Sequence, residues 1–172
     1  MAKKQDIYLR KLKAEDVDFM LQMENNPEIW HVSQTKEPYR RIDIETFIKD
    51  SKHDLFEEFQ LRYIIVLTEN DLQIGSVDLF NFDPEANNAG VGITIIEKYR
   101  GKAYGKQALK SLIEIAFKKL KLQELYCNIF TDNEPSIRLF ESMGFERIKF
   151  LEKNTEFMGK KYDEYYYRLT KK

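Results

Sequence analysis

Residues 90–120 limit the fold more than any other stretch: G-V-G-I-T-I-I-E-K-Y-R-G-K-A-Y-G-K-Q-A-L-K-S-L-I-E-I-A-F-K-K-L. The run Val91–Ile96 is β-branched and apolar, which predicts a strand. From Ala108 onward, Leu109, Leu112, Ile113, Ala116, Phe117 and Leu120 recur at spacings of three and four, which predicts a helix with one buried face. Between them lies a short turn with two glycines, Gly101 and Gly105, and three cations, Arg100, Lys102 and Lys106. The first amides of a helix have no intrahelical acceptor and carry the positive end of its dipole, so such a turn suits a phosphate. Two familiar phosphate loops do not fit. A P-loop needs G-x-x-x-x-G-K-[ST], but Gly101–Gly105 is one residue short and Gln107 has no hydroxyl for a metal; no third glycine completes G-x-G-x-x-G after Gly90 and Gly92.

The rest of the chain reads as one mixed domain over residues 1–172, with no linker, internal repeat or low-complexity run. Strands are expected at Ile7–Leu12, Leu61–Thr68, Leu72–Phe80, Leu125–Phe130, Arg147–Phe157 and Tyr162–Thr170. Helices are expected at Ala14–Glu24, Ile42–His53 and after Asn133, which can cap its helix, while Gly144 can end it. Residues 28–39 read as irregular, Asp83–Asn88 as a loop, and Met158–Lys161 as the turn of a closing hairpin. Gly75 inside a strand implies a bulge or a close backbone approach.

Formal net charge is −1, so neither nucleic acid nor an anionic membrane surface is an expected partner. The polar start M-A-K-K-Q-D has no signal-peptide core, and a cytoplasmic location is the expectation. A single cysteine, Cys127, excludes an internal disulfide, and His31 and His53 lack metal-ligand spacing, so no metal is expected. The chain allows for a homo-oligomer without requiring one.

Arg100-Gly-Lys-Ala103-Tyr-Gly105 is similar to the pyrophosphate loop of the GNAT superfamily of acyl-CoA-dependent N-acetyltransferases, [QR]-x-x-[GA]-x-[GA]. Downstream, Asn133-Glu-Pro-Ser136-Ile-Arg-Leu-Phe140-Glu-Ser-Met-Gly144-Phe145 resembles that family's second signature, N-x-x-[AS]-x-x-L-[YF]-x-x-x-G-F. The resemblance implies an α/β fold with a mixed, mostly antiparallel sheet, a splayed strand pair and flanking helices. It implies acetyl-CoA as cosubstrate, with Arg100, Gly101, Lys102, Ala103, Tyr104, Gly105 and Lys106 around its diphosphate and main-chain groups of Ile93 and Ile95 along its pantetheine arm. The Ile95 amide would polarise the thioester carbonyl. Asn133, Ser136 and Phe140 would border the same arm. Many members place a tyrosine at position 140 as general acid; phenylalanine has no proton to give, which leaves Ser136 as the candidate donor to the departing sulfur.

The resemblance also implies an amine acceptor. Glu156 matches an acidic residue of the closing hairpin in the polyamine and ribosomal-protein N-terminal branches and is the expected general base. Glu37 and Asp78 match acidic positions of the spermidine branch and would hold a second ammonium. Apart from the resemblance, Trp30, Tyr39 and Phe82 are candidates for the pocket lining, with ordinary aromatic packing the default for each. Three functions follow in order of expectation: acetylation of a polyamine or diamine such as spermidine, acetylation of a protein N-terminal amine, and a non-catalytic acyl-CoA sensor.

Overall fold

The computed structural model describes residues 5–172; the first four residues of the polar N-terminal stretch lie outside the described residues. Seven strands form one sheet: β1 (Ile7–Lys11), β2 (Leu61–Leu67), β3 (Gln73–Asp83), β4 (Asn88–Ile95), β5 (Glu124–Phe130), β6 (Glu146–Phe157) and β7 (Lys160–Thr170). Their spatial order is β1-β2-β3-β4-β5-β7-β6. Every neighbouring pair is antiparallel except β4 and β5, which run parallel and pair at only three positions, Asn88↔Glu124, Ala89↔Leu125 and Gly90↔Tyr126. Beyond Gly90 the two strands part. The expected splay is present.

Alternation along the strands sorts side chains onto two faces. One face carries Val77, Leu79, Val91, Leu125, Cys127, Ile129 and Tyr167 into the main core against Ala108, Leu109 and Leu112 of α5 (Tyr104–Glu114) and Phe140 of α6 (Glu134–Ser142). On the other, Ile64 and Val66 pack a smaller core with Met20 of α1 (Val17–Glu24) and with Ile44 and Ile48 of α3 (Arg41–Asp50).

The elements follow the sequence pattern with local differences. A 3-10 turn, Ala14–Asp16, precedes α1, and two short helices occupy stretches where no helix was expected: α2 (Trp30–Ser33) and α4 (Leu55–Glu58), the latter capped by the Asp54 carboxylate, which accepts from the amides of Phe56 and Glu57. β4 begins at Asn88 rather than Val91, because residues 88–90 pair with both β3 and β5. The closing turn narrows from four residues to Met158-Gly159, both at positive φ (49° and 81°), the geometry whose twist matches a two-residue hairpin. After α5 the chain continues as a π turn, Ile115–Lys119. Gly75 marks a close approach: a Cβ there would lie 2.1 Å from the Thr94 carbonyl oxygen, and the register shifts one residue away.

Candidate active site

The splay leaves main-chain groups of β4 without a strand partner. The Ile96 amide donates to the Ile74 carbonyl of β3 (2.9 Å), so the same peptide turns the Ile95 carbonyl the other way, toward the gap. By alternation the amides of Ile93 and Ile95 face the gap too, while their side chains pack with the main core. A ladder of donors and acceptors thus lines one wall of a cleft, ready for an extended, amide-bearing ligand.

At the end of that wall the chain turns through Glu97–Tyr99 into α5. Ala103 is the residue before the helix and sits in the left-handed region at φ 63°, as does Gly101 at φ 73°. No side chain caps α5, and its first intrahelical bond is Gln107 N to Ala103 O (3.2 Å), so the amides of Tyr104, Gly105 and Lys106 have no partner within the helix. Arg100, Lys102 and Lys106 are exposed around them. The Lys98 and Lys102 ammonium groups lie over the Tyr99 ring at 5.5 and 5.6 Å. Free amides, dipole and cations together fit a diphosphate. Gly105 lets this first turn approach the others: a Cβ there would touch Leu139 of α6 (3.5 Å), Ile93 (3.8 Å) and Ile95 (3.9 Å). Asn133 caps α6 as expected, its Oδ1 accepting from the Ser136 amide at 3.3 Å.

The opposite face of β3 and β4 holds the charged part of the site. Arg62 of β2 donates from Nε to Asp78 Oδ1 (2.7 Å) and from a terminal nitrogen to Asp78 Oδ2 (3.0 Å), and its other terminal nitrogen donates to Glu24 of α1. Burial works to lower the Arg62 pKa, but Asp78 and then Glu24 outweigh it and hold the guanidinium above the ordinary arginine range. Two carboxylates and one cation leave the group at net −1. It borders a cavity of about 230 Å³ whose walls include Phe47, Glu58, Arg62, Asp78, Leu79 and Phe80. A Cβ on Gly92 would lie 4.0 Å from Asp78 Oδ2, so the carboxylate stands beside bare β4 backbone.

The remaining expected residues fall in several places. Phe140 is buried in the main core, edge-on to Phe145 at 5.0 Å, so its ring serves packing. Ser136 is half-buried in the first turn of α6. Glu156 is exposed on the edge strand opposite Lys161, and alternation turns it to the face away from Thr155 and Tyr162. Glu37 is exposed, and Tyr39 is exposed but pinned through its backbone, which donates to Asn25 Oδ1 (2.7 Å) and accepts from Asn25 Nδ2 (2.9 Å). Trp30 Nε1 donates to the Glu24 carbonyl (3.0 Å), and Phe82 is buried between Phe56 and Phe59. The structure therefore brings Ile93 and Ile95 against the 100–106 turn, sets Asp78 beside Gly92 on the other face of the same strand pair, and leaves Glu37 and Glu156 exposed on the surface. Sequence reasoning missed Glu24 and Arg62. A signal existed for the second: Arg62 is the one charge in the strand L-R-Y-I-I-V-L. Burial also pushes the Cys127 thiol far above its ordinary range, so it stays protonated and is no nucleophile.

A parallel strand pair that parts, followed by a helix with uncapped first amides, is the arrangement that the resemblance to the GNAT acetyltransferases implies. The acetyltransferase (GNAT) domain family matches residues 6–146, and the chain belongs to that family. It is 27% identical over 165 residues to the uncharacterized N-acetyltransferase p20 of Bacillus licheniformis, covering 95% of this chain and 92% of the relative. It is 26% identical over 140 residues to spermidine N(1)-acetyltransferase of Escherichia coli K12, covering 81% and 72%. The fold matches the crystal structure of spermidine N-acetyltransferase from Vibrio cholerae in complex with CoA and spermine, with TM-score 0.83 and 22% identity over 96% of this chain and 95% of that one. The protein is an acetyl-CoA-dependent N-acetyltransferase.

Proposed function

We propose that the acceptor is a small alkylamine carrying more than one ammonium, of the polyamine or diamine class, and that the Glu24–Arg62–Asp78 group receives one of them. The observation that carries this reading is the net negative charge of that group, half-buried between α1 and the sheet and next to the bare backbone of Gly92. An ammonium stays mostly protonated at neutral pH, with a pKa near 10.4, so an acceptor must first be attracted as a cation and then lose a proton. Carboxylates serve both ends. Apolar walls from Phe47, Leu79 and Phe80 suit the methylene spacers between nitrogens.

The chemistry assigned to this chain's own residues is limited and specific. The amides of Tyr104, Gly105 and Lys106 hold the cosubstrate's diphosphate, and the Ile93 and Ile95 amides hold its arm and carbonyl. Asp78, oriented by Arg62, draws the acceptor toward β4. Ser136 is the hydroxyl proposed to donate toward sulfur.

Release of free CoA thiol with a panel of amines tests the reading. Spermidine and short diamines should exceed a monoamine of equal length by about tenfold or more in kcat/KM, the ~1.4 kcal/mol of one added ion contact. Asp78→Asn should lower kcat/KM for spermidine tenfold or more while leaving the KM for acetyl-CoA within about twofold. Glu156→Gln should do neither. Turnover of N-terminal peptides with none of polyamines would establish the second reading, a protein N-terminal amine, which Ser136 favours.

A further inference from the structure

The Arg100 side chain does not extend into solvent toward the α5 amides. It folds back, and its Nε donates to the Ile95 carbonyl at 2.8 Å. That carbonyl is the one turned into the splay, past the last paired residue of β4 and β5. The loop between is closed by two further bonds, Tyr99 N to Ile96 O (2.9 Å) and Arg100 N to Glu97 O (3.0 Å). Residues 95–100 thus form a ring of three hydrogen bonds, with Arg100 contributing its backbone and its side chain to the same closure.

From this geometry we infer that Arg100 is a positioning residue for the cosubstrate rather than a charge for its diphosphate. By satisfying the Ile95 carbonyl, it fixes the 95–96 peptide, whose orientation sets where the Ile95 amide points on the other side of that residue. It also fixes the spacing between the thioester-binding strand and the 100–106 turn. Arm and diphosphate sites are then presented at one set distance, which lowers the ordering cost of binding a long flexible ligand. The same bond occupies one of the two lone pairs of the Ile95 carbonyl, which leaves Ile93 and the Ile95 N–H as the fully open partners for the arm. Lys102 and Lys106, on the turn itself, supply the positive charge.

The test separates a donor from a charge. Glutamine carries its side-chain nitrogen at the same distance from Cβ as the Nε of arginine but is neutral; lysine keeps the charge and places its nitrogen one bond farther. CoA affinity is measured by calorimetry for Arg100→Ala, Arg100→Gln and Arg100→Lys at 0.05 and 0.5 M salt, together with the KM and kcat for acetyl-CoA. Arg100 is exposed, and each variant is expected to melt within a few degrees of the parent. We expect Ala to lose about tenfold in CoA affinity, an effect of one neutral-to-charged hydrogen bond, with Gln restoring most of it and Lys little. The loss ratio should stay constant with salt, and KM should rise while kcat stays within about twofold. Restoration by Lys equal to or better than by Gln, a loss that shrinks at high salt, or an Ala variant that binds like the parent would each overturn the inference.

Discussion

Alanine at position 103 departs from the residue that its backbone favours. At φ 63° its Cβ meets the following carbonyl, a strain on the order of 1 kcal/mol that glycine avoids. Ala103→Gly should therefore raise the melting temperature by about 2–4 °C for a chain of this size and should not weaken CoA binding; calorimetric melting with and without CoA checks both. The loop pattern admits glycine or alanine at position 103 and so carries no φ for it, and no pattern covers Met158, Lys153 or Phe59, also at positive φ. Those residues adopt it at the turn of a hairpin, a register shift in β6 and a helix end. Asp78 shows the complementary limit. Its acidity was legible, but Arg62, which holds it, is 16 residues away and comes into register only once β2 and β3 pair.

Elements were legible where periodicity was strong. The apolar stripe of α5 and the alternation of Leu125, Cys127 and Ile129 in β5 are both buried as their spacing requires. Short helices were not, because four residues such as Trp30–Ser33 hold too few turns to show a period. The π turn was invisible for the opposite reason: one added residue barely alters a stripe of apolar positions. A buried clamp joins β1, the first 3-10 turn and β3. Asp16, fully buried, accepts from both terminal nitrogens of Arg10 (2.8 and 2.7 Å), from the Lys13 amide (2.7 Å) and from Gln73 (3.0 Å). Burial would raise its pKa, yet Arg10, then Gln73 and Lys13, together hold it below the usual carboxylate range. The folded value is below the unfolded one, so its stabilisation is complete above about pH 4 and is lost as pH falls through the folded value. Asp16→Asn should cost about 3 kcal/mol at pH 7, with Arg10 left unpaired. Melting curves of variant and parent should converge as pH drops from 5 toward 2; a constant gap would contradict this account.

At the scale of the molecule, the three functions expected from the sequence narrow to the two enzymatic ones: the chain is an N-acetyltransferase, and a polycationic acceptor is the proposal that rests on the charge beside Gly92. What the sequence conveyed of the site was its cosubstrate half, because backbone recognition leaves a local trace in turn and cap residues. The proposed acceptor half draws on α1, β2 and β3, and of its three charged residues the sequence pointed only to Asp78.

The three-pair contact between β4 and β5 has one more consequence. Main-chain continuity across the middle of the sheet is nearly severed there, so β1–β4 and β5–β7 meet along a seam held chiefly by side chains. An extended molecule hydrogen-bonded along that seam would act as a stitch between two half-sheets. Amide hydrogen exchange in β4 and β5 should slow together when CoA is added, well beyond residues in its reach, and the melting temperature should climb with CoA concentration.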